Sequence, residues 1–375
     1  MQCLRALCGD LPHKGYGAVC FKVPTSYRMK NPVIAIALSG GVDSLVSGYL
    51  LKHKYKHVFG IHFTTGYEKD RADLIYLEKQ LGFPVTCIDL SHIFEEKVVQ
   101  YFIQTYLEGK TPNPCIICNK EIKFGELLKI AQNMGADFLA TGHYATIVNP
   151  ISFPEKKISY CYLEKGVDPL KDQSYFLSLL SSDQLEKIIF PLAGMIKNDV
   201  ERLAVSKHLA PAHPKESQDI CFIHDNNFPG FILKKQGLAP SPGNIVDMNK
   251  KIIGSHNGLH KFTIGQRRGI NCPAGEPYYV KKIDMKNNIL EVCFKRDLSE
   301  KKAEIDQINW NSPKQKNITD IITKIRYSHK GALSTLSIKE SCGQIVFEEP
   351  QNAITPGQAA VFYKNARVLG AGIIQ

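Results

Sequence analysis

Apolar residues fall in two rhythms along this chain, and the rhythm changes near Asn244. In the first part, short unbroken apolar runs alternate with stretches in which apolar residues recur every three or four positions. Val33-Ile34-Ala35-Ile36-Ala37-Leu38 is short, branched and continuous, the pattern of a strand buried on both faces. Apolar residues at 45, 46, 49 and 50 then predict a helix. His57 to Phe63, Pro84 to Leu90 and Asp137 to Thr141 read as further strands. Arg71 to Leu81, Ser91 to Leu107 (with Ser91 as N-cap), Glu121 to Met134 (closed by Gly135) and Asp172 to His208 read as helical. Such alternation predicts an α/β fold, a parallel sheet with helices on both faces. Beyond Asn244 come short β-like runs broken by Gly, Asn and Lys turns: Tyr278 to Ile283, Ile289 to Phe294, Ile321 to Tyr327, Leu333 to Ile338 and Ala359 to Tyr363. Strands at this spacing predict small barrels. The expected division is a catalytic domain over 29–224, a β-rich central module over 225–300 and a C-terminal β-barrel over 301–375.

Between the first strand and the first helix stands Ser39-Gly40-Gly41-Val42-Asp43-Ser44. Paired glycines let the backbone turn tightly and approach a ligand, and the free N–H groups at the helix start point at an anion. The loop lacks the lysine and the glycine spacing of a Walker A motif. Asp43 is odd in an anion site; holding a magnesium ion that itself binds phosphate is its simplest use. As a carboxylate at a helix start it reads as a surface group of little weight in stability. The hexapeptide after a buried strand resembles the PP-loop of the N-type ATP pyrophosphatases. That resemblance implies cleavage of ATP to AMP and pyrophosphate, with adenylylation of a substrate oxygen. Ligands on parallel sheets sit beyond the carboxyl ends of the strands, where this loop, Phe63 and Gly142-His143 all fall. Phe63 either packs against an adenine ring or fills the core at a strand end.

Composition narrows the partner. The chain of 375 residues is long enough for two or three domains, and 43% hydrophobic and 22% charged residues are the balance of an ordinary globular protein. No apolar run approaches the ~20 residues that cross a bilayer, so no membrane partner is expected. A net charge of +11 favours an anionic partner, nucleic acid first. Residues 1–28 fit poorly with the rest and read as an extension before a start at Met29, with a disordered targeting arm as the alternative. They carry four basic side chains and one acid, so the chain stays basic without them. The 11 cysteines, an odd number without a secretory pattern, point to a reducing cytoplasm and to reactive or metal-binding thiols.

Two cysteines sit in polar, loop-forming surroundings. Thr111-Pro112-Asn113-Pro114-Cys115-Ile116-Ile117-Cys118-Asn119-Lys120 puts Cys118 at the expected mouth of a helix, where the dipole and Lys120 would lower its pKa. Lys215-Glu216-Ser217-Gln218-Asp219-Ile220-Cys221-Phe222-Ile223 puts Cys221 in a polar loop. Cys87, in its strand, and Cys161, Cys293 and Cys342 read as buried, inert thiols.

Together with the PP-loop, TPNPCIICNKEIKFG, ATGHYA, KDQSYFL, ESQDICFI, HKFTIGQRRG (His260–Gly269) and ITPGQAAVFY resemble, in order, the bacterial tRNA-specific 2-thiouridylases, from about Val33 to the C-terminus. The resemblance implies sulfuration of uridine 34, the wobble position of certain tRNAs, with ATP and magnesium as cofactors and a cysteine desulfurase or sulfur relay protein as sulfur donor. It implies Ala37, Leu38, Ser39, Gly40, Gly41, Val42, Asp43, Ser44, Phe63 and Gly142 at the ATP site. It implies Asn113, Pro114 and Cys115 at the loop that meets the target base. His143, Lys171, Asp172 and Gln173, and from the barrel Arg326, Tyr327 and Gln358, would contact tRNA. Cys221 would carry a persulfide and Cys118 would be its partner, leaving a Cys118–Cys221 disulfide for a reductant.

The family pattern has Asp where this chain has Cys115. Two sulfur chemistries therefore stay open: the persulfide relay, and a [4Fe–4S] cluster held by Cys115, Cys118 and Cys221 with its fourth iron open to sulfide. A structural zinc lacks an evident fourth ligand. Two other functions compete. A PP-loop ligase that attacks an adenylate with ammonia would need neither Cys118 nor Cys221. A non-catalytic RNA-binding protein would need neither Asp43 nor hydrolysable ATP.

Overall fold

The computed structural model describes residues 31–68, 73–153, 158–212, 220–225 and 227–375. The expected extension over 1–28, Met29 and Ser217 to Asp219 lie outside them.

The chain begins with β1 (Val33–Ala37), α1 (Val42–Lys54), β2 (His57–Thr64), α2 (Leu74–Leu81) and β3 (Val85–Asp89). A helical run follows, α3 (Ser91–Phe94), a π segment (Glu95–Val99) and α4 (Gln100–Leu107). Leu90 rather than Ser91 holds the N-cap position. Asp89 Oδ1 accepts the Ser91 N–H at 2.9 Å, which leaves the serine hydroxyl no capping task. The next run is longer than the spacing predicts. It starts at α5 (Pro114–Ile117), continues through a π segment (Cys118–Glu126) and ends with α6 (Leu127–Asn133). Of the two prolines in the TPNP stretch, Pro112 lies in a loop but Pro114 does not: Asn113 caps the helix by accepting from the Ile116 N–H, and Pro114 takes the first helical position, where its missing N–H is no loss.

β4 (Phe138–Ala140) returns to the sheet, and a hairpin of β5 (Ala145–Phe153) and β6 (Ile158–Lys165) follows. The expected helix over 172–208 is mostly absent. A 3₁₀ turn (Ser174–Leu177), α7 (Ser182–Leu185), the two-residue strand β7 (Ile188–Ile189) and α8 (Lys197–Ser206) replace it. β7 is too short to leave a period in the sequence. The first sheet runs β3-β2-β1-β4-β7, and its pairings are parallel. α9 (Phe228–Gln236) packs on this domain, with Ile232 in its core and Phe228 stacked on Tyr106 at 4.9 Å.

β8 (Pro242–Val246), β9 (Ile252–Asn257), β10 (Tyr279–Asp284) and β11 (Ile289–Cys293) form a second sheet in the order β10-β11-β8-β9. β12 (Ser299–Trp310), β13 (Asn317–Lys324), β14 (Ala332–Lys339), β15 (Cys342–Asn352), β16 (Ala359–Lys364) and β17 (Arg367–Ile374) form the C-terminal barrel, closed by the β12–β17 pairing. The β5–β6 hairpin leaves the first domain and adds to this barrel beside β17. Asn309 and Asn311 of the barrel donate to the carbonyls of Ser178 and Leu180, and the buried Tyr175 hydroxyl donates to the Ala359 carbonyl at 2.9 Å. These buried polar contacts fix the barrel over the loops at one end of the first sheet. Among the described residues, no helix is long and apolar enough to cross a membrane.

Candidate functional site

The loop after β1 turns at Gly40, whose φ of +79° is left-handed, and Gly41 then caps α1. The Ser44 hydroxyl donates to the Gly41 carbonyl at 2.8 Å, and the Ser39 and Ser44 hydroxyls lie 3.3 Å apart. Ala37, Leu38, Val42 and Phe63 follow from the ends of β1 and β2, with Leu38 buried. Gly142, after β4, lies so close that a Cβ there would stand 2.9 Å from the Asp43 carbonyl carbon and 3.0 Å from the Ser44 nitrogen. The carboxyl ends of β1 and β4 thus meet on one loop of backbone N–H groups.

Asp43 is not the solvated carboxylate that its position suggests. Both of its oxygens accept from Lys197 Nζ, at 2.8 and 2.9 Å, and Oδ1 also accepts from the Tyr144 hydroxyl at 2.6 Å. The Lys197 side chain is only 8% exposed and that of Asp43 29%. Lys197 begins α8, and its backbone N–H donates to Asp168. A buried cation at the positive end of a helix dipole needs a carboxylate, and Asp43 supplies it. No rhythm in the sequence singles out Lys197. The residues at hand do not fit a protein-built magnesium site: Asp43 is taken, and among the described residues no group of three His, Cys, Asp or Glu side chains is placed to hold a metal.

The thiols gather nearby. Cys115, Cys118 and Cys221 lie within reach of one another's charge, and all three are free thiols. They do not form a metal-ligand group among the described residues, so the cluster alternative lacks its ligand set. Cys118 also departs from expectation. The helix starts at Pro114, so Cys118 lies a full turn inside it, away from the helix mouth. Lys120 pairs with Glu121 at 3.4 Å. Burial dominates, and it pushes the Cys118 thiol up to about 12 and Cys221 up to about 11, while Cys115 is also raised. Cys115 and Cys221 still touch solvent and Cys118 is half-buried, and the chain packed around them keeps most water from the sulfurs. Of the thiols expected to be buried and inert, Cys161 and Cys293 are buried, whereas Cys87 and Cys342 are exposed. Alkylation of Cys118 by iodoacetamide in the resting protein is therefore expected to accelerate well above the usual thiol range, toward pH 11 to 12. A labelling rate that levels off by pH 9 would contradict it. The same shifts imply that stability from these neutral thiols is intact below about pH 8.5 and is lost as pH rises toward 11 and 12.

Of the residues expected at tRNA, Tyr327 is 39% exposed, its ring lies 4.5 Å from that of Phe176, and Lys171 and Asp172 both bear on its hydroxyl. Arg326 donates to the Asn352 and Ala353 carbonyls at 3.2 and 3.5 Å. Several of the others are engaged inside the protein. Asp172 accepts from Gly166 and Ser174, and Gln173 accepts from the Tyr144 N–H. His143 is buried, with Thr141 on its Nδ1 at 2.7 Å and Phe124 and Phe190 around its ring; burial holds it well below the ordinary histidine range. Gln358 donates to the Thr111 and Pro112 carbonyls at 2.9 and 3.1 Å, and Gly357 packs its backbone against Thr111. Beside this clamp, Thr111, Thr263, Gln266, Arg326 and Gln358 line a cleft of about 450 Å³ where all three parts of the chain meet. Gln358→Ala is expected to remove two bonds worth ~1–2 kcal/mol together and to loosen the Asn113–Cys115 loop. Amide hydrogen exchange over 113–118 should quicken. Unchanged exchange with weaker tRNA binding would instead make Gln358 a direct RNA contact.

A tight glycine turn between a parallel strand and a helix, without a Walker lysine, defines a class: a PP-loop domain of the ATP pyrophosphatase type. Family models agree with that architecture, matching as a tRNA methyl transferase HUP domain over 32–225, a tRNA methyl transferase PRC-barrel domain over 231–294 and an aminomethyltransferase β-barrel domain over 300–374. A tRNA-specific 2-thiouridylase MnmA of Desulfosudis oleivorans is 45% identical over 94% of this chain and 97% of its own length. Those of Desulfotalea psychrophila and Chlorobium phaeobacteroides are 42% and 38% identical, each over 91% of this chain and at least 96% of their own length. The chain belongs to the tRNA-specific 2-thiouridylase family.

Proposed function

We propose that this chain is a tRNA-uridine 2-sulfurtransferase acting on uridine 34, and that it works in the cytoplasm. The single observation that carries the reading is the junction of the PP-loop with a group of three thiols. Gly142 packs on the loop at Asp43 and Ser44, His143 follows it, and one ammonium bears on His143, Cys115, Cys118 and Cys221 together. A methyl transfer needs neither part. Neither does an ammonia-dependent ligase need the thiols.

The chemistry follows from the leaving group. The C2 oxygen of uracil departs poorly. Its attack on the α-phosphorus of ATP expels pyrophosphate and leaves the oxygen as part of AMP. Backbone N–H groups of the PP-loop stabilise charge on the phosphates, and magnesium enters only as the counter-ion that ATP brings. A donor protein loads sulfur onto Cys221 as a persulfide. The Cys118 thiolate attacks the inner sulfur of that persulfide, forming a Cys118–Cys221 disulfide and releasing hydrosulfide. Hydrosulfide attacks C2, and AMP leaves. An external thiol then reduces the disulfide. The wobble base must leave its stack to reach the cleft, and the exposed Tyr327 beside Arg326 suits a displaced nucleotide. In this reading Asn113 and Pro114 shape the loop beside the base. Incubation with unmodified tRNA, ATP, magnesium and a persulfide donor, followed by nucleoside analysis, should yield 2-thiouridine with one pyrophosphate per event. Pyrophosphate release with no thiolated nucleoside under any donor would overturn the reading.

A further inference from the structure

Lys123 lies within the TPNPCIICNKEIKFG stretch without a role in the sequence reading, yet its charge bears on four groups of the site. It stands in the π segment Cys118–Glu126, five residues after Cys118. In an α-helix, residues five apart point about 140° away from each other around the axis. A π-helix closes its bonds at i+5, so such a residue comes round to nearly the same face. The register is visible at the end of the segment, where the Leu127 N–H bonds the Ile122 carbonyl. It is visible again at Gly125, where a Cβ would stand 2.9 Å from the Lys120 carbonyl oxygen. The glycine leaves room for the widened turn.

The consequence is electrostatic. The Lys123 ammonium bears on Cys115, Cys118, Cys221 and His143, in each case opposing or adding to the effect of burial. Among the described residues no carboxylate pairs with it, whereas Lys120, three residues earlier, is paired with Glu121. Among the described residues, the other charges facing the thiols are the thiols themselves and Glu68, after β2, which bears on Cys221 and disfavours its anion. Lys123 is therefore the cation on hand when a thiol in this cleft must become an anion.

We propose that Lys123, turned onto the thiol face by the π segment, is the counter-charge of the sulfur-transfer site and stabilises the thiolate of Cys118 and the persulfide anion of Cys221. The assignment rests on the sulfurtransferase reading, but its test does not need tRNA. The π segment is then a functional device, because straightening it to α would carry Lys123 off the thiols while leaving every side chain in place.

The test is the pH dependence of iodoacetamide labelling of Cys118 and Cys221, read by peptide mass spectrometry, with the thermal midpoint as control for folding. Lys123→Met should slow labelling of both thiols about tenfold at a fixed pH, a displacement of about one pH unit. Lys123→Arg, which keeps the charge, should restore the rate to within about threefold of wild type. Gly125→Ala should slow Cys118 labelling as well, with Lys123 still present. A Lys123→Met protein that folds and labels with the wild-type profile overturns the proposal, as does equal slowing in the Arg and Met variants. If wild type fails to thiolate tRNA, the sulfurtransferase reading falls, and the labelling profile still decides what Lys123 does to the thiols.

Discussion

Asp43→Asn is expected to stop pyrophosphate release and to destabilise the protein measurably. Its position alone suggests only the first effect. The second follows from the Lys197 ammonium, which is 8% exposed and whose contacts at 2.8 and 2.9 Å are to this carboxylate. Removing one member of a buried pair leaves the other charge less well compensated; allowing for the partly exposed carboxylate, the loss is ~2–3 kcal/mol. For a domain of this size the midpoint falls by roughly 4–10 °C. Asp43→Asn combined with Lys197→Met removes the buried cation as well and should recover part of the midpoint while remaining inactive. The Tyr144 hydroxyl keeps an acceptor in the asparagine side chain, so it does not account for the loss. Wild-type melting of the single variant would show that Lys197 finds another partner. Full pyrophosphate release would remove Asp43 from the ATP site.

Cys118→Ser and Cys221→Ser should each lower thiolation by roughly a thousandfold or more, the scale on which loss of a nucleophile acts. Pyrophosphate release should continue in both, because adenylylation precedes sulfur transfer. The two variants then differ in what they accumulate. Cys118→Ser retains the site that carries the persulfide but not the thiolate that opens it, so a donor should leave a persulfide on Cys221 that mass spectrometry can detect. Cys221→Ser should accumulate none. Cys115→Ser separates the relay from a cluster. Cys115 touches solvent at the edge of the thiol cleft, and the described residues provide no metal-ligand group there. A serine at 115 should therefore keep activity within about tenfold of wild type. A dead Cys115→Ser protein, with a wild type active only when it carries iron, would sink the relay.

Much of the site was legible because its signals are local. The PP-loop lies in six consecutive residues between a buried strand and a helix, and the thiols lie in two short motifs. The hairpin β5–β6 was not legible as part of the barrel, since its pairing with β17 joins residues about 200 positions apart, as in Glu164 with Arg367. Pro114, which reads as part of a stiff loop with Pro112, instead starts a helix, because Asn113 is at hand to cap it. The bonds from Gln358 to the Thr111 and Pro112 carbonyls span 247 and 246 positions, so no local signal announces them.

By itself the sequence determined the α/β catalytic half, its phosphate loop, the β-rich end and the family, because strand and helix periods and motif order survive without coordinates. Tertiary structure decided the electrostatics. Asp43 meets Lys197 across 154 positions. Burial raises the Cys118 thiol, which a helix mouth was expected to acidify. A π register that no propensity encodes turns Lys123 toward them. Charge at a site depends on what the whole chain packs around it, and packing is a property of the fold.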